Sequence, residues 1–472
     1  LSLLLSGCAS VGPDYEEPEV DVTSAWLEIE EPKISGDVPE DPRWWSNSFN
    51  DPDLDRLVEM ALADNLTVRS AGLRVLQSQQ QLAIAIGNQY PQEQQVTGDA
   101  SRQKESATTF NNYSLGFNLA WEIDFWGRFR RQVESASAEL DASVADYDGI
   151  VLSLVSQVAQ NYILVRTFQD RIEANRENVR LQEQGLQIAQ VKFDAGAVSE
   201  LDVDQAESLL YNTKASVSTL EISLQQLKNA LAILLGKPPH DLNYLFTDGV
   251  EIPTAPVNVA LGMPQDLLRR RPDIRSAERG LAVQSAQIGF AVSELYPHFT
   301  IGGSIGTSAF STSEMFNKDS TTWSLFGLFE WDVFNYGRLK SNVRLQDARF
   351  QQLLVDYQNT VLVAQGDVEN TIVAYLKSHE QLEASREAAA ASQRSVDVAT
   401  IQYQEGTITF NTLINTLASN TQQHDLLSAT QGSVATSLVQ VYKALGGGWE
   451  IRNGQDPVDL WPDAMKAEMR ER

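Results

Sequence analysis

The chain carries one long pattern twice. Trp121-Glu122-Ile123-Asp124-Phe125-Trp126-Gly127-Arg128 returns 210 residues later as Trp331-Asp332-Val333-Phe334-Asn335-Tyr336-Gly337-Arg338. The offset holds onward, with Phe193-Asp194-Ala195-Gly196 falling on Tyr403-Gln404-Glu405-Gly406 and Leu235-Gly236 on Leu445-Gly446. Upstream it is 206, where Val68-Arg69-Ser70-Ala71 and Tyr90-Pro91 land on Ile274-Arg275-Ser276-Ala277 and Tyr296-Pro297. Solenoid units repeat every 20–50 residues or so, far less than this. One architectural half is therefore present twice, and the fold must carry an internal pseudo-two-fold.

A net charge of -27 over 472 residues argues against nucleic acid as a partner, because an acidic surface repels phosphate. The single cysteine excludes intrachain disulfides, and His240, His298, His379 and His424 show no metal-ligand spacing, so no cofactor is expected. That cysteine ends Leu5-Ser6-Gly7-Cys8, which resembles the tail of a bacterial lipoprotein signal with its start missing. The resemblance implies covalent lipid on Cys8, and more than one acyl chain anchors stably. Ala9 follows instead of Asp, which in such signals favours the outer membrane.

Up to about residue 48 prolines and acidic residues alternate, which blocks helix. The tract reads as a disordered linker or as an extended strap along the folded body. Trp26, Trp44 and Trp45 are poor residues to leave in water and favour the strap. Residues 53–89 read as one helix stopped by Tyr90-Pro91. A strand pair follows, whose polar start (Gln92-Glu93-Gln94-Gln95) places the beginning of its first strand later. Its second strand alternates, with Tyr113, Leu115, Phe117, Leu119 and Trp121 on one face and Ser114, Gly116, Asn118, Ala120 and Glu122 on the other. The second copy places Trp323, Leu325, Phe329 and Trp331 on the apolar face, although Phe326 and Leu328 fall on the polar one. Apolar-out, polar-in strands with aromatic ends are the pattern of outer-membrane barrels. There is no run of about 18 apolar residues of the kind that spans a membrane as helix.

Long helices come next. Val151, Val158, Val165, Ile172, Val179, Leu186 and Phe193 recur every seven residues, as do Val361, Val368, Tyr375, Leu382, Ala389, Val396 and Tyr403. A seven-residue apolar repeat means coiled-coil packing. From Gln132 to Phe193 the helix would reach roughly 90 Å. Each ends at a glycine turn, and Ser199 and Thr409 are placed to cap the return helices, Ser199 with Asp202 as a capping-box-like pair.

Four strands cannot close a barrel, and open strand edges are not tolerated in lipid. Three copies would supply twelve strands, an even number within the known range. On these features, together with Val11-Gly12-Pro13-Asp14-Tyr15, Trp44-Trp45, Arg270-Arg271-Pro272-Asp273 and Ala444-Leu445-Gly446-Gly447-Gly448-Trp449, the chain resembles the bacterial outer membrane factors of the TolC family. The likeness is to their lipoprotein branch of OprM and NodT type. It implies an α+β membrane protein: a homotrimer whose twelve-stranded outer-membrane β-barrel continues into a periplasmic α-helical coiled-coil barrel. It implies outer-membrane lipid around the barrel, docking to a periplasmic membrane-fusion adaptor, and an inner-membrane pump of RND type. The function implied is an exit duct for drugs, metal ions or other small toxic solutes. Type I protein secretion is the alternative within the family, and a coiled-coil structural lipoprotein is the alternative outside it.

The expected division begins with a partial signal (1–8), an extended strap (9–52) and a first repeat (53–236). That repeat holds a hairpin at about 92–125, a long helix 128–195 and a return helix 199–235. An equatorial segment (237–272) leads to the second repeat (273–446), with its hairpin at about 297–334, long helix 337–405 and return helix 409–445, and an equatorial tail (447–472). The resemblance makes Gly196, Ala197, Val198, Ser199, Gly406, Thr407, Ile408 and Thr409 the periplasmic tips and adaptor contacts. A carboxylate that relatives place nine residues after the second glycine is Asn415 here, and Asn411 is also neutral. Asp202 and Asp204 are the nearest acidic substitutes at the constriction, Asp202 reading first as a capping residue. Gly302-Gly303-Ser304-Ile305-Gly306 has the spacing of a nucleophile elbow but sits in an expected strand, not a strand-turn-helix, so catalysis is not expected.

Overall fold

In a computed structural model the chain is described over residues 10–28, 34–35, 42–106, 108–239, 251–256, 258–260, 262, 264–266, 270–452 and 454–459. Cys8 lies outside these residues. The described elements are β1 (Ile34–Ser35), α1 (Trp44–Phe49), α2 (Pro52–Asp64), α3 (Leu66–Gly87), β2 (Glu93–Glu105) and β3 (Thr108–Ile123). Then come α4 (Arg128–Asp194), α5 (Glu200–Leu234), β4 (Val259–Ala260), α6 (Pro272–Ser293), β5 (His298–Ala309), β6 (Thr321–Glu330), α7 (Arg338–Gln404) and α8 (Phe410–Ala444). The repeat is visible in the lengths: α4 and α7 each hold 67 residues, α5 and α8 each 35. It is visible in the backbone too. Gly127 and Gly337, Gly196 and Gly406, and Gly236 and Gly446 all take positive φ, and each pair is spaced by the repeat.

Two compact units form, and neither is one repeat. One gathers the chain up to Val20, Leu73–Asp146 and Asp273–Thr360; the other gathers Asp21–Gly72, Tyr147–Pro272 and Val361–Arg472. Each copy of the repeat contributes to both. The first unit holds the antiparallel sheet β2-β3-β5-β6, joined across the two copies by the β3–β5 pairing from Tyr113↔Ala309 to Ile123↔Phe299.

The second unit holds the heptad seams. Val361, Val368, Tyr375, Leu382, Ala389, Val396 and Tyr403 are all buried. In α4 the same seam is buried from Val151 to Ile172 and then opens, until Phe193 is 38% exposed where its counterpart Tyr403 is 2% exposed. Burying a large apolar side chain contributes about 1.5–3 kcal/mol, so the second seam holds more strongly than the first near its end. The most apolar stretch of α4 is mostly buried inside the chain, as a core helix should be.

Several expectations need correction. Residues 53–89 are two helices: Asn65 is extended, and its side chain accepts from the Thr67 and Val68 amides at 2.8 and 3.0 Å, so it ends α2 and caps α3. The segment 9–52 is not extended throughout, because Trp44–Phe49 is helical. Trp44 stacks on Tyr442 with centroids 4.9 Å apart, and buried Trp26 donates to the Gly262 carbonyl at 2.9 Å. These contacts make it a strap.

Strand β2 begins at Glu93 despite its polar start. Glu93 pairs with Ala120, which puts Glu93 and Gln95 on the polar face; only Gln94 falls on the other, and its amide reaches the Pro91 carbonyl at 3.1 Å. Trp331 is not a strand residue, since β6 ends at Glu330 opposite His298. Pro297 precedes His298 and has no N–H with which to continue the ladder.

Candidate functional site

The sheet is largely sorted by face, with Phe326 and Leu328 of β6 on the polar face, and Gln94, Arg102 and Lys104 of β2 on the apolar one, as the exceptions. In register, Val96, Phe117, Ile305 and Trp323 share one face, as do Leu119 and Leu325 through Gly303, and Ile123, Phe299 and Phe329. Leu115, Phe117, Trp121, Ile301, Trp323, Leu325 and Phe329 are exposed on the single chain. Tyr113 and Leu119 are half-buried on the same face. The other face carries Thr97, Asn118, Ser304 and Ser324, tied by an Asn118–Thr97 bond of 3.1 Å and a Ser304–Ser324 bond of 2.9 Å. Ser304 therefore sits in mid-strand, and β5 runs on to Ala309 without the turn and helix that a nucleophile elbow needs.

Each strand exit is built the same way twice. The Trp121 indole donates to the Gln89 carbonyl at 3.2 Å and the Trp331 indole to the Leu295 carbonyl at 3.1 Å. Arg128 pairs with Glu122 at 3.1 Å and Arg338 with Asp332 at 2.9 Å. Among the described residues, the strap wraps the first exit and not the second. Val11 donates to the Trp126 carbonyl at 3.0 Å, and the buried Arg131 guanidinium reaches the Val11 and Gly12 carbonyls and Asp14. His298 reaches Glu122 at 2.9 Å on the polar face of this exit.

At the helix ends the two glycine turns are matched. The Ala197 amide donates to the Lys192 carbonyl at 2.8 Å, and the Thr407 amide to the Gln402 carbonyl at 2.9 Å, with Gly196 and Gly406 left-handed. These bonds satisfy the last helical carbonyls in the manner of a Schellman turn. Ser199 and Thr409 hold the N-cap position with extended backbone, but neither side chain caps its helix. Thr409 instead contacts the Thr412 hydroxyl at 3.2 Å, and Asp202 meets Ser199 only through a backbone bond of 3.1 Å. Ser199 and Asp202 therefore form no capping box.

The tips of both repeats meet in one apolar cluster. Ala189, Val203 and Ala206 pack with Val396, Ala399, Tyr403, Phe410, Leu413 and Leu417, and Ile408 lies against them. Gly196, Ala197, Gly406 and Thr407 remain exposed, while Val198 is half-buried. Asn411 and Asn415 line a shallow groove of about 420 Å³ with Ser392, Ser395, Thr412, Thr416 and Ser419, all uncharged. Asp204 is exposed and Asp202 half-buried; neither lines that groove.

Sequence reasoning passed over two features here. Lys192, the cation in the last turn of α4, donates to the Tyr403 carbonyl at 2.5 Å; its place at a helix end was the available signal. Between α4 and α8 runs a polar ladder: Arg171 grips Asp425 at 2.9 and 2.8 Å, Asn178 bonds Asn420 at 3.0 Å, and Gln182 bonds Thr421 at 3.2 Å. No apolar period could reveal it.

Comparison with known proteins agrees with this architecture. The family model described as outer membrane efflux protein matches residues 57–237 and 263–447. Nodulation protein T of Rhizobium leguminosarum bv. trifolii is 30% identical over 465 residues, covering 97% of each chain. The pyoverdine export outer membrane protein OpmQ of Pseudomonas putida is 31% identical over 423 residues, covering 87% of this chain and 89% of that one. Among solved structures, the outer-membrane channel OprN superposes with a TM-score of 0.87 at 30% identity, covering 94% of this chain and all of the other. A sheet with one apolar face, matched glycine-ended coiled coils and a family model over most of the chain lead to one conclusion. The chain has the TolC-type fold and belongs to the outer membrane efflux protein family, as an outer-membrane channel of a bacterial efflux system.

Proposed function

We propose that three copies of this chain close a twelve-stranded barrel and a helical duct. The duct would carry small toxic solutes, drugs or metal ions among them, from an adaptor-docked inner-membrane pump of RND type to the exterior. The observation that carries this reading is the four-stranded sheet: largely apolar on one face and largely polar on the other, with β2 and β6 as its open edges among the described residues. Lipid offers no partner for such edges, so further copies must pair them. Chemical crosslinking of the detergent-extracted chain should trap a trimer, and planar bilayers should record stepwise conductance. A monomer with no conductance would sink the duct.

Docking is assigned to the exposed turns Gly196-Ala197-Val198-Ser199 and Gly406-Thr407-Ile408-Thr409, and the narrowest uncharged collar to Asn411 and Asn415. Cysteines at Ala197 and Thr407 should crosslink to a co-expressed adaptor; failure at both would remove the tips from the interface. Asn415→Asp should shift ion selectivity towards cations, and an unchanged reversal potential would place the constriction elsewhere.

Lipid on Cys8 is part of the same reading. Ser10, two residues after Cys8 in the sequence, packs against Gly127 at the aromatic strand exit. Aromatic exits mark membrane interfaces, which suits acyl chains attached there. Radiolabelled palmitate should label the protein expressed with its full signal and not Cys8→Ser; equal labelling would place the lipid elsewhere.

A further inference from the structure

Phe110 stands on the wrong face, and Phe310, just past the end of β5, meets it there. Strand parity puts Phe110 with Asn112, Ser114 and Asn118, on the polar side of the sheet. It lies beyond Tyr113↔Ala309, the last rung between β3 and β5. There its ring meets Phe310 edge to face, with centroids 6.1 Å apart and planes at 89°. Phe310 nevertheless remains 69% exposed, so one aromatic face stays open. Behind the pair the wall is polar, with Ser308 bonded to Asn112 at 3.1 Å.

The charge of this face is one-sided. Following the register, its strand residues include Glu93, Asp99, Glu105, Glu122 and Glu330 and no Lys or Arg, although Glu122 is paired with Arg128 at the exit. The two strand cations, Arg102 and Lys104, have the opposite parity. Glu105 pairs with Thr108 and Gln103 with Phe110, so Glu105 is the diagonal neighbour of the Phe110 ring. Diagonal neighbours sit about 7–8 Å apart, within reach of a long side chain. An aromatic face beside a carboxylate is the arrangement that holds an organic cation.

We propose that Phe110, Phe310 and Glu105 form a subsite at the far end of the duct's inner wall that takes aromatic or quaternary ammonium cations as they leave. The assignment rests on the duct reading, which turns the polar face inward. Contact with one exposed ring, its half-buried neighbour and one carboxylate is weak, which suits a surface that solutes must leave. Charge preference would then reside in the barrel wall, while the Asn411 and Asn415 groove stays neutral.

The test uses the full chain purified in detergent. Saturation-transfer NMR reads contact with benzyltrimethylammonium, and benzenesulfonate serves as the matched anion. The cation should receive saturation and the anion should not. Phe110→Ala with Phe310→Ala should weaken cation binding roughly threefold to tenfold. Phe110→Tyr with Phe310→Tyr should retain it, which separates loss of the rings from a misfolded mouth. In planar bilayers the cation should block wild type more than the alanine variant, and Glu105→Gln should reduce cation preference in a salt gradient. Equal contact with both probes, or unchanged cation contact in the alanine variant, overturns the proposal. So does a wild type that ignores the probe while the alanine variant conducts better, since the rings would then be closing on one another across copies. Probe contact without any unitary conductance would support the subsite and count against the duct.

Discussion

The Lys192 ammonium lies 4.6 Å from the centre of the Tyr403 ring and donates to the Tyr403 carbonyl. One contact thus ties the last turn of α4 to the last turn of α7, where each repeat reaches its glycine. It combines a cation–π interaction with neutralisation of a helix C-terminus. Burial, and then the charge of Asp202, push the Tyr403 phenol above its ordinary range, so the ring stays neutral. Lys192→Ala should loosen the tips and raise resting conductance in planar bilayers. Tyr403→Phe should keep the link and leave stability unchanged or raise it by up to about 1 kcal/mol, because the buried hydroxyl it removes has no partner among the described residues. Resting conductance identical in Lys192→Ala and wild type would reduce the contact to a local cap.

The two strand-exit glycines predict an asymmetry. Both are left-handed, at φ +81° for Gly127 and +83° for Gly337. A Cβ on Gly337 would meet nothing, whereas one on Gly127 would come within 2.8 Å of the Ser10 backbone. Gly337→Ala should therefore cost only the left-handed penalty, about 1–2 kcal/mol. Gly127→Ala should cost more, since the strap has to move. Thermal unfolding of the two variants compares them directly, and equal losses would mean that the strap is not seated against this exit.

Asp148 is fully buried and is gripped by Arg452 at 2.6 and 3.0 Å. Removing one partner of such a pair leaves a buried charge uncompensated, at about 3–5 kcal/mol. Asp148→Ala should lower the unfolding midpoint sharply, and a paired Asp148→Leu, Arg452→Met variant should recover much of it. Failure of the double variant to recover would mean that the guanidinium does more than neutralise Asp148.

Elements governed by a period were legible in the sequence, and contacts between distant segments were not. The Val151-to-Phe193 and Val361-to-Tyr403 heptads pointed to α4 and α7 because a seven-residue spacing has one physical reading. The same spacing hid the difference between Phe193 and Tyr403, since exposure depends on the neighbour that the fold supplies. Asn65 was readable in principle: an Asn that can cap inside an apolar stripe is a stop signal, but the continuous stripe outweighed it. Gln92-Glu93-Gln94-Gln95 misled because polarity was weighed without parity, and parity needs the Glu93↔Ala120 register. Ser199 shows the reverse error, a residue of the right type in the right place whose side chain makes no capping bond.

His424 predicts a pH dependence. Its burial disfavours the imidazolium and pulls its pKa below the ordinary value of 6.5, and its Nε2 is buried with no partner among the described residues. A depressed histidine pKa means that the unfolded chain takes up this proton at a higher pH than the folded one does. The stability tied to neutral His424 is therefore fully present above about 6.5 and is lost progressively as pH falls towards the depressed folded value. Unfolding midpoints measured from pH 8 down to 5 should decline more steeply for wild type than for His424→Gln, which cannot titrate. A lower starting midpoint in the variant does not affect the comparison, because the slope carries the argument. Parallel slopes would show that other groups set the acid sensitivity of this helix pair.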